Sequence, residues 1–555
     1  MTDVLSKTQR SFNMSMIKAE NTGPEIKFRN FLHSRGIRNF KMYPKKISGK
    51  PDFYFPEEKL AIFIDGCFWH GCKKCFQKPQ TNKKFWMEKV KNNIRRDLKV
   101  NSLLSKEGFK VVRLWEHEIK NLGNNRIKKF INQFKKDEVK KLKVLDLFAG
   151  AGGFSEGFLA TGFDMVGHIE MEKDACETIR TRLIYYSLKK KGRIDDYKKY
   201  LLGEISKEEI IEKYNLQKVM DSVIRAKISK DNYKRLIGII KKRLNGAQLD
   251  VIIGGPPCQA YSYIGRARDK NKMRKDHRNY LYKYYVEFLK VLRPQIFVFE
   301  NVPGLLTAGG GQHLKNMQRS IKKTGYSMDY KLLNATDFGV PQSRKRLILI
   351  GWNDKSELKQ YPDFEKIKKT YLVKDFLEGL PKIKSGKGVQ VVKYKAKSTI
   401  LEKLGIVDRK LGLLMDHVAR SHAKRDLEIF KLAVLSKNQG KNMKYNQLPK
   451  KLKSHKNENG FLDRFKVVDA LSQDSHTVVA HIAKDGNYYI HPDINQNRSL
   501  TIREAARLQT FPDNFKFEGS RTSQFRQIGN AVPPLMSLHI AQKLKRQFNY
   551  EKDKI

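Results

Sequence analysis

The alternation of hydrophobic and polar positions changes character along the chain. Near the amino end, residues 51–55 (PDFYF) and 60–64 (LAIFI) read as two strands joined by a charged turn, and residues 111–115 (VVRLW) as a third. Between them, apolar residues recur at helical spacing over 85–104, and Asn21-Thr22-Gly23-Pro24-Glu25 has the early proline and acid of a helix start. Residues 135–143 (KKDEVKKLK) are charged and almost without apolar positions, which predicts a linker. Beyond it come short apolar runs at 144–148, 250–253, 296–299 and 347–350, with helical patterns between them. Buried strands alternating with helices predict a parallel sheet covered on both faces. Residues 183–245 are lysine-rich and helical in pattern, predicting an insertion, and 355–495 are basic and irregular. No repeat with a period of about twenty to fifty residues occurs.

A chain of 555 residues exceeds what one hydrophobic core serves, so several domains are expected. Lys and Arg total 112 against 58 acidic residues, a formal charge of +54. Such an excess repels itself unless an anion is at hand, and nucleic acid is the obvious polyanion. Hydrophobic residues at 40% suffice for packed cores and exclude wholesale disorder. There is no apolar run long enough for a spanning helix, and the first twenty residues lack a signal-peptide core. Five cysteines, three of them within 67–75, exclude a disulfide framework and point to metal binding in a reducing compartment. These features predict a soluble, intracellular, multi-domain protein that meets DNA or RNA.

The sharpest local signal is Gly254-Gly255-Pro256-Pro257-Cys258-Gln259, directly after a predicted strand. Two glycines allow a tight turn, two prolines stiffen it, and the thiol emerges at a strand's carboxyl end, where open α/β sheets bind ligands. Glu300 ends a second strand, and Gln342-Ser343-Arg344-Lys345-Arg346 precedes a third, which brings a carboxyl and two guanidiniums towards one sheet edge. Surface salt bridges are the ordinary fate of such charges. Gly150 to Gly153 after the first strand is a weak nucleotide-like signal, and Glu170 could hold ribose hydroxyls or simply open a helix.

Together these blocks resemble the DNA (cytosine-5)-methyltransferases: DLFAGAGGF at 146–154, GPPC at 255–258, ENV at 300–302, QSRKR at 342–346, REAARLQTFP at 503–512 and GNAVPP at 529–534, in the family's order over roughly 141–550. The resemblance implies that cytosine is flipped from the duplex and that the Cys258 thiolate adds at C6, so that C5 becomes nucleophilic. It implies Glu300 at N3, Arg344 and Arg346 balancing charge or orienting the base, and a methyl group from S-adenosylmethionine. The cofactor would lie against Phe148, Gly150, Gly152, Glu170, Met171, Pro257, Leu281 and Asn530. Members usually carry an acidic residue near the adenine, a position that the 183–245 insertion hides here. Sequence choice falls to the irregular stretch.

In the amino-terminal part, Cys67, Cys72 and Cys75 with His70 or the distant His117 offer four ligands for tetrahedral zinc, and spacing leaves both histidines open. Asp52 opens a strand and Glu25 lies on the first helix; converging carboxylates can hold Mg²⁺, though most are simply solvated. Residues 50–53 (KPDF), 63–70 (FIDGCFWH), 85–86 (FW) and 114–117 (LWEH) resemble the very-short-patch-repair (Vsr) endonucleases over about 1–135. That resemblance implies a type II restriction-nuclease fold. Asp52 and the Ile64 carbonyl would hold Mg²⁺, His70 would be general base, and Glu25 and Asp65 would support the site. Zinc then falls to Cys67, Cys72, Cys75 and His117, the last often a cysteine in the family. Phe68, Trp69 and Met14 would wedge into the base stack.

The expected class is α/β: a restriction-nuclease-like (Vsr) domain over 1–137, then a Rossmann-like methyltransferase over 141–354 carrying the insertion, a target-recognition domain over 355–497, and carboxyl-terminal methyltransferase motifs over 498–550. Deaminated 5-methylcytosine leaves T·G mismatches, so a mismatch nickase beside a cytosine methylase makes one bifunctional enzyme. The two resemblances imply a cytoplasmic, nucleoid-associated monomer that acts on double-stranded DNA, with downstream DNA-repair proteins as further partners. Two other readings stand beside it: a fused restriction–modification enzyme cutting unmethylated sites, and a catalytically dead DNA-binding regulator.

Overall fold

The computed structural model describes residues 9, 20–35, 37, 39–45, 47–123, 126–127, 141–256, 280–356, 360–394, 398–455, 457–460 and 462–552. It divides the chain into two compact units, Met1–Lys140 and Lys141–Ile555. Pro257, Cys258 and Met14 lie outside the described residues.

The first unit runs α1 (Gly23–Ser34), β1 (Lys41–Met42), β2 (Phe53–Phe55), β3 (Leu60–Asp65), α2 (Lys83–Lys106), β4 (Lys110–Trp115) and α3 (Glu116–Lys120). The sheet order is β1-β2-β3-β4; β3 pairs antiparallel with β2 and parallel with β4. A parallel pair needs a crossover, and α2 supplies it. Glu25 caps its own helix by accepting from the Thr22 amide and hydroxyl at 3.1 and 2.7 Å. Phe28 and Leu32 of α1 pack on Phe53, Phe55, Ile62 and Leu114 to form this unit's core.

The second unit is built on a seven-stranded sheet of order β10-β11-β9-β8-β5-β6-β7. Its strands are β5 (Lys143–Leu147), β6 (Asp164–Glu170), β7 (Val223–Arg225), β8 (Val251–Gly254), β9 (Ile296–Asn301), β10 (Tyr326–Asn334) and β11 (Lys345–Asn353). β5 to β9 are parallel, and β11 runs antiparallel to both its neighbours. Helices in chain order are α4 (Gly153–Ala160), α5 (Lys173–Lys190), α6 (Ile194–Leu201), α7 (Lys207–Lys213), α8 (Gln217–Met220), α9 (Tyr233–Leu244), α10 (Leu281–Leu292) and α11 (Gln312–Lys322). One face is covered by α9, α10 and α11 through Leu236, Ile240, Phe288, Leu289 and Met317. The other is covered by α4 and the last helix, whose Met536, Ile540 and Leu544 meet Phe158. A Cβ on Gly157 would stand 2.3 Å from the Leu538 backbone nitrogen, so only glycine lets these two helices close.

Three sequence expectations need correction. Lys143, assigned to the linker, is the first residue of β5: its amide donates to Asp250 Oδ2 at 2.7 Å. The 183–245 insertion is smaller than its composition suggests. α5 extends to Lys190, β7 pairs with β6 in the main sheet, and α9 fills the main core. Only α6 to α8 stand apart, and their Tyr197, Leu201, Ile210 and Met220 share one core with Leu411, Leu413 and Met415. The stretch after residue 355 is also more regular than its pattern. It holds α12 (Val373–Leu377), β12 (Gly388–Lys393), α13 (Thr399–Lys403), β13 (Leu413–Val418) and the fifteen-residue α14 (Lys424–Asn438). Apolar residues crowd Leu427 to Leu435 of α14 without a clear period, which hid the helix, and Phe430 and Val434 seat it on Tyr445, Leu448 and Phe465. The chain closes with α15 (Ile502–Leu508), α16 (Arg521–Asn530) and α17 (Pro534–Lys552).

Candidate active sites

The sheet of the second unit ends in a cradle. After β5 the backbone turns through Phe148, Gly150 and Gly152, all at positive φ (59°, 54° and 80°), and Gly153 starts α4. A phenylalanine at positive φ is uncommon, and such strain gathers at ligand sites. Glu170, at the end of β6 and nearly buried, spans this turn: one carboxylate oxygen accepts from the Gly150 amide at 2.8 Å, the other from the amides of Met171 and Glu172 at 2.8 and 2.9 Å. Burial raises its pKa, and those three amides pull it back. Met171 beside it is half exposed, Leu281 starts α10, and Asn530 ends α16. Asp146 is fully buried beneath the turn and accepts from Ser155 Oγ; burial pushes its carboxyl up to about 8. β7 ends at Arg225, opposite Glu170, and Ala226-Lys227 follow it, so the strand next to Glu170 presents no carboxylate at this end.

Two strands along, β8 runs into Gly255 and Pro256, and Glu300 is the second-last residue of β9. A Cβ on Gly255 would sit 2.6 Å from Glu300 Oε2 and 3.1 Å from its carbonyl, so glycine is required where the chain passes the carboxylate. Asn301 Nδ2 donates to the Pro256 carbonyl at 3.4 Å and ties the segment leading to Cys258 to β9. Arg346 on β11 reaches Glu300, Nε to Oε1 at 2.7 Å, with both side chains largely shielded.

Arg344 does something else. It is 1% exposed, and its guanidinium donates to the carbonyls of Val478 at 2.8 Å and Gly529 at 3.1 Å. Arg344 precedes β11 and is held on backbone carbonyls, whereas Arg346, inside the strand, meets the carboxylate, so the structure pairs Glu300 with Arg346 and not with Arg344. Gln342, also buried, donates to Leu508 O and Gln509 Oε1 and accepts from the Val478 amide. Behind them lie Arg498–Glu504 at 2.7 Å and Arg507–Asp513 at 2.6 Å, fully buried ion pairs. Arg498 and Asp513 escaped sequence reading because nothing local marks them as partners.

The first unit gathers two polar clusters. In one, Asp52 Oδ2 accepts from the Ile64 amide at 2.6 Å. Burial pushes the Asp52 carboxyl up to about 7; the Ile64 amide and Arg113 lower it, Glu25 and Asp65 raise it. Glu25 also accepts from Tyr43 Oη. Asp65 is held by Arg113 through Nε and Nη2 at 2.6 and 2.7 Å, and Arg113 Nη2 reaches Asp97 at 2.9 Å. His70 Nδ1 lies 2.5 Å from Asp97 Oδ2 and 3.7 Å from Asp65 Oδ1. Asp97 was missed in the sequence. The available signal was a polar stripe on α2: Asn93, Asp97 and Asn101 fall on one face at i, i+4 and i+8, Asn93 donating to Trp69 O and Asn101 accepting from Arg113.

In the other cluster, the ligand atoms of Cys67, Cys72, Cys75 and His117 lie within 4.8 Å of one another. His117 Nδ1 stands 3.2 Å from Cys67 Sγ and 3.6 Å from Cys72 Sγ, and α3 carries it there. Three thiols and an imidazole at this spacing fit tetrahedral zinc. His70 is turned to the carboxylates instead. Phe68, Trp69 and Trp86 pack edge to face, centroids 5.2 to 5.8 Å apart, with Phe85 60% exposed beside them.

A parallel sheet with one reversed strand, a strand-end glutamate holding a glycine turn, and a Glu–Arg pair beside a Gly-Pro segment define a Rossmann-like methyltransferase. Residues 142–210 and 184–546 match the family of C-5 cytosine-specific DNA methylases. The chain is 42% identical over 445 residues to type II methyltransferase M.Bpa9945I of Bacillus paralicheniformis, covering 73% of this chain and 99% of that protein. It is 31% identical to M.XorII of Xanthomonas oryzae pv. oryzae, covering 74% and 86%. A solved prophage DNA modification methyltransferase from E. coli superposes with a TM-score of 0.52 at 23% identity, over 74% of this chain and 99% of that one, and shares the fold. The chain belongs to the C-5 cytosine-specific DNA methylase family. Residues 2–77 match the DNA mismatch endonuclease Vsr, so an endonuclease domain precedes the methyltransferase. Among the described residues no helix is long and apolar enough to cross a membrane.

Proposed function

We propose that this protein methylates C5 of cytosine within a specific duplex sequence and nicks DNA at the T·G mismatches that deamination of its own product creates. The observation that carries the first activity is the Glu300–Arg346 pair beside Gly255 and Pro256, the latter lying two residues before Cys258 in sequence. In this reading the cytosine is extruded, at a cost of a few kcal/mol, and the Cys258 thiolate adds to C6. Glu300 binds N3 and governs its proton; Arg346 holds that carboxylate in place. S-adenosylmethionine, when bound, supplies the methyl group to C5. Loss of the C5 proton then expels the Cys258 thiolate from C6 and releases 5-methylcytosine. The turn at Phe148, Gly150 and Gly152 would take it, with Glu170 at the ribose, Met171 against the adenine, and Pro257, Leu281 and Asn530 closing the cradle. Target choice is assigned to residues 355–497.

For the nuclease, Asp52 and the Ile64 carbonyl would hold Mg²⁺, which supplies charge stabilisation for the cleaved phosphate. The carboxylates of Glu25, Asp52 and Asp65 outnumber Arg113 there, a balance suited to a divalent cation. His70, oriented by Asp97, takes the proton of the attacking water. Zinc on Cys67, Cys72, Cys75 and His117 would staple the loop after β3 to α3.

Incubation with T·G-containing and fully matched unmethylated duplexes, with Mg²⁺, tests the pairing of activities. Nicking of the mismatch alone is expected. Double-strand cutting of the matched duplex would establish a restriction enzyme instead. Cys258→Ser is expected to abolish methyl transfer and spare nicking, and Asp52→Ala to do the reverse. Loss of both activities in either variant contradicts separate sites.

A further inference from the structure

A groove of about 300 Å³ opens on the second unit between the start of α10 and the outer side of α11, lined by Tyr280, Lys283, Asn316, Arg319, Ser320 and Lys323 among others. Its lining residues include none of those placed in the cradle or at Glu300, although Tyr280 and Tyr282 flank Leu281. Its lining contains three cations and no carboxylate. Like charges gathered around so small a volume repel one another, and an anion relieves that repulsion.

The remaining lining groups suit the same ligand. Lys283 Nζ lies 4.7 Å over the Tyr280 ring, a contact that holds the ammonium at the groove's edge. Asn316 spends its side-chain oxygen on Gln312 Nε2 and its backbone carbonyl on Ser320 Oγ, both at 2.8 Å, so its amide N–H groups remain to face the groove. The lining therefore offers cationic and amide donors and no anionic acceptor, as phosphate oxygens require.

Position along the chain gives the ligand's class. Residues 259–279, which join Cys258 to Tyr280, contain Arg266, Arg268, Lys270, Lys272, Arg274, Lys275 and Arg278 against Asp269 and Asp276. Positive charge thus continues in sequence from the nucleophile to the first residue of the groove. A duplex whose cytosine reaches Cys258 is the polyanion already present.

We propose that this groove binds the phosphodiester backbone of the substrate duplex outside the target sequence, as a sequence-independent anchor on the catalytic unit. The proposal rests on the reading that Cys258 attacks a base in duplex DNA. Neutralising one phosphate per cation releases counterions, so the anchor appears in both the Michaelis constant and the salt dependence.

The test combines Lys283→Gln, Arg319→Gln and Lys323→Gln in the full-length protein. Substrates are two duplexes centred on a cytosine mapped as methylated in expressing cells, one of about one and a half helical turns and one of about four. The expected result is a KM for the long duplex raised about tenfold, kcat unchanged, the short duplex unaffected, and the slope of log affinity against log salt on the long duplex reduced by about 2 to 3. Unchanged KM and slope on the long duplex would overturn the proposal, and so would an equal rise on both lengths, which would place the residues at the target itself. Should the triple variant melt below wild type, Arg319→Gln alone is measured; its slope on the long duplex is expected to fall by about 1, and no change overturns the anchor. Should wild type transfer no methyl group to either duplex, the Cys258 reading fails, and salt-dependent binding of the long duplex by wild type and variant still decides the groove.

Discussion

Arg346 Nε lies 2.7 Å from Glu300 Oε1 across β9 and β11, whose antiparallel register sets Glu300 opposite Ile348. Two residues earlier, Arg344 is buried and donates to two backbone carbonyls. The two arginines of one short motif therefore have separable duties. Arg346→Ala is expected to lower the methylation kcat by about 100-fold with an unchanged melting temperature. Arg344→Met is expected to cost about 2 to 4 kcal/mol of stability, because it strands two buried carbonyls. Steady-state methyl transfer alongside urea melts separates them; the opposite assignment of effects would refute the division.

His70 is gripped by Asp97 at 2.5 Å from a different element. Asp97→Asn keeps the shape but alters which ring nitrogen carries the proton. Nicking of a T·G duplex is expected to slow by about 100-fold in kcat with the KM for DNA within about twofold. A variant that nicks at the wild-type rate would remove Asp97 from the site.

His117 and His70 both had a claim to the fourth zinc position. The 3.2 Å approach of His117 to Cys67 predicts that His117→Ala loses stoichiometric zinc, whereas His117→Cys and His70→Ala keep it. Elemental analysis of purified protein checks this. Chelation is also expected to lower the melting transition of the amino-terminal unit, since metal affinity is folding energy here.

His168 on β6 is fully buried, and neither ring nitrogen has a hydrogen-bond partner among the described residues. Burial drops its pKa from 6.5 to about 3. The unfolded chain therefore takes up a proton below about pH 6.5 that the folded one refuses, so stability is full above that pH and falls as the solution is acidified. At about pH 5 the loss from this one group is about 2 kcal/mol. His476, pushed down to about 4, acts in the same direction. Comparing urea melts of wild type and His168→Leu at neutral pH and at about pH 5 should show the variant losing about 2 kcal/mol less. Parallel pH profiles would count against it.

The sequence by itself determined the parts that are written locally. Apolar runs marked β5, β8, β9 and β11, because a strand buried on both faces must be apolar throughout. Short blocks such as 146–154 and 255–258 carried the cradle and the nucleophile, because a tight turn demands particular residues in a row. Tertiary structure decided everything that depends on which distant side chains meet. Pairing of β11 with β9 gave Glu300 to Arg346, and the carbonyls of Val478 and Gly529 took Arg344. The crossover helix α2 brought Asp97 to His70, and α3 brought His117 to the cysteines. Pairing with β6 drew β7 out of an apparent insertion into the sheet. In each case composition and spacing are nearly silent, since hydrogen bonds and ion pairs are made across space between elements whose separation along the chain carries no signal.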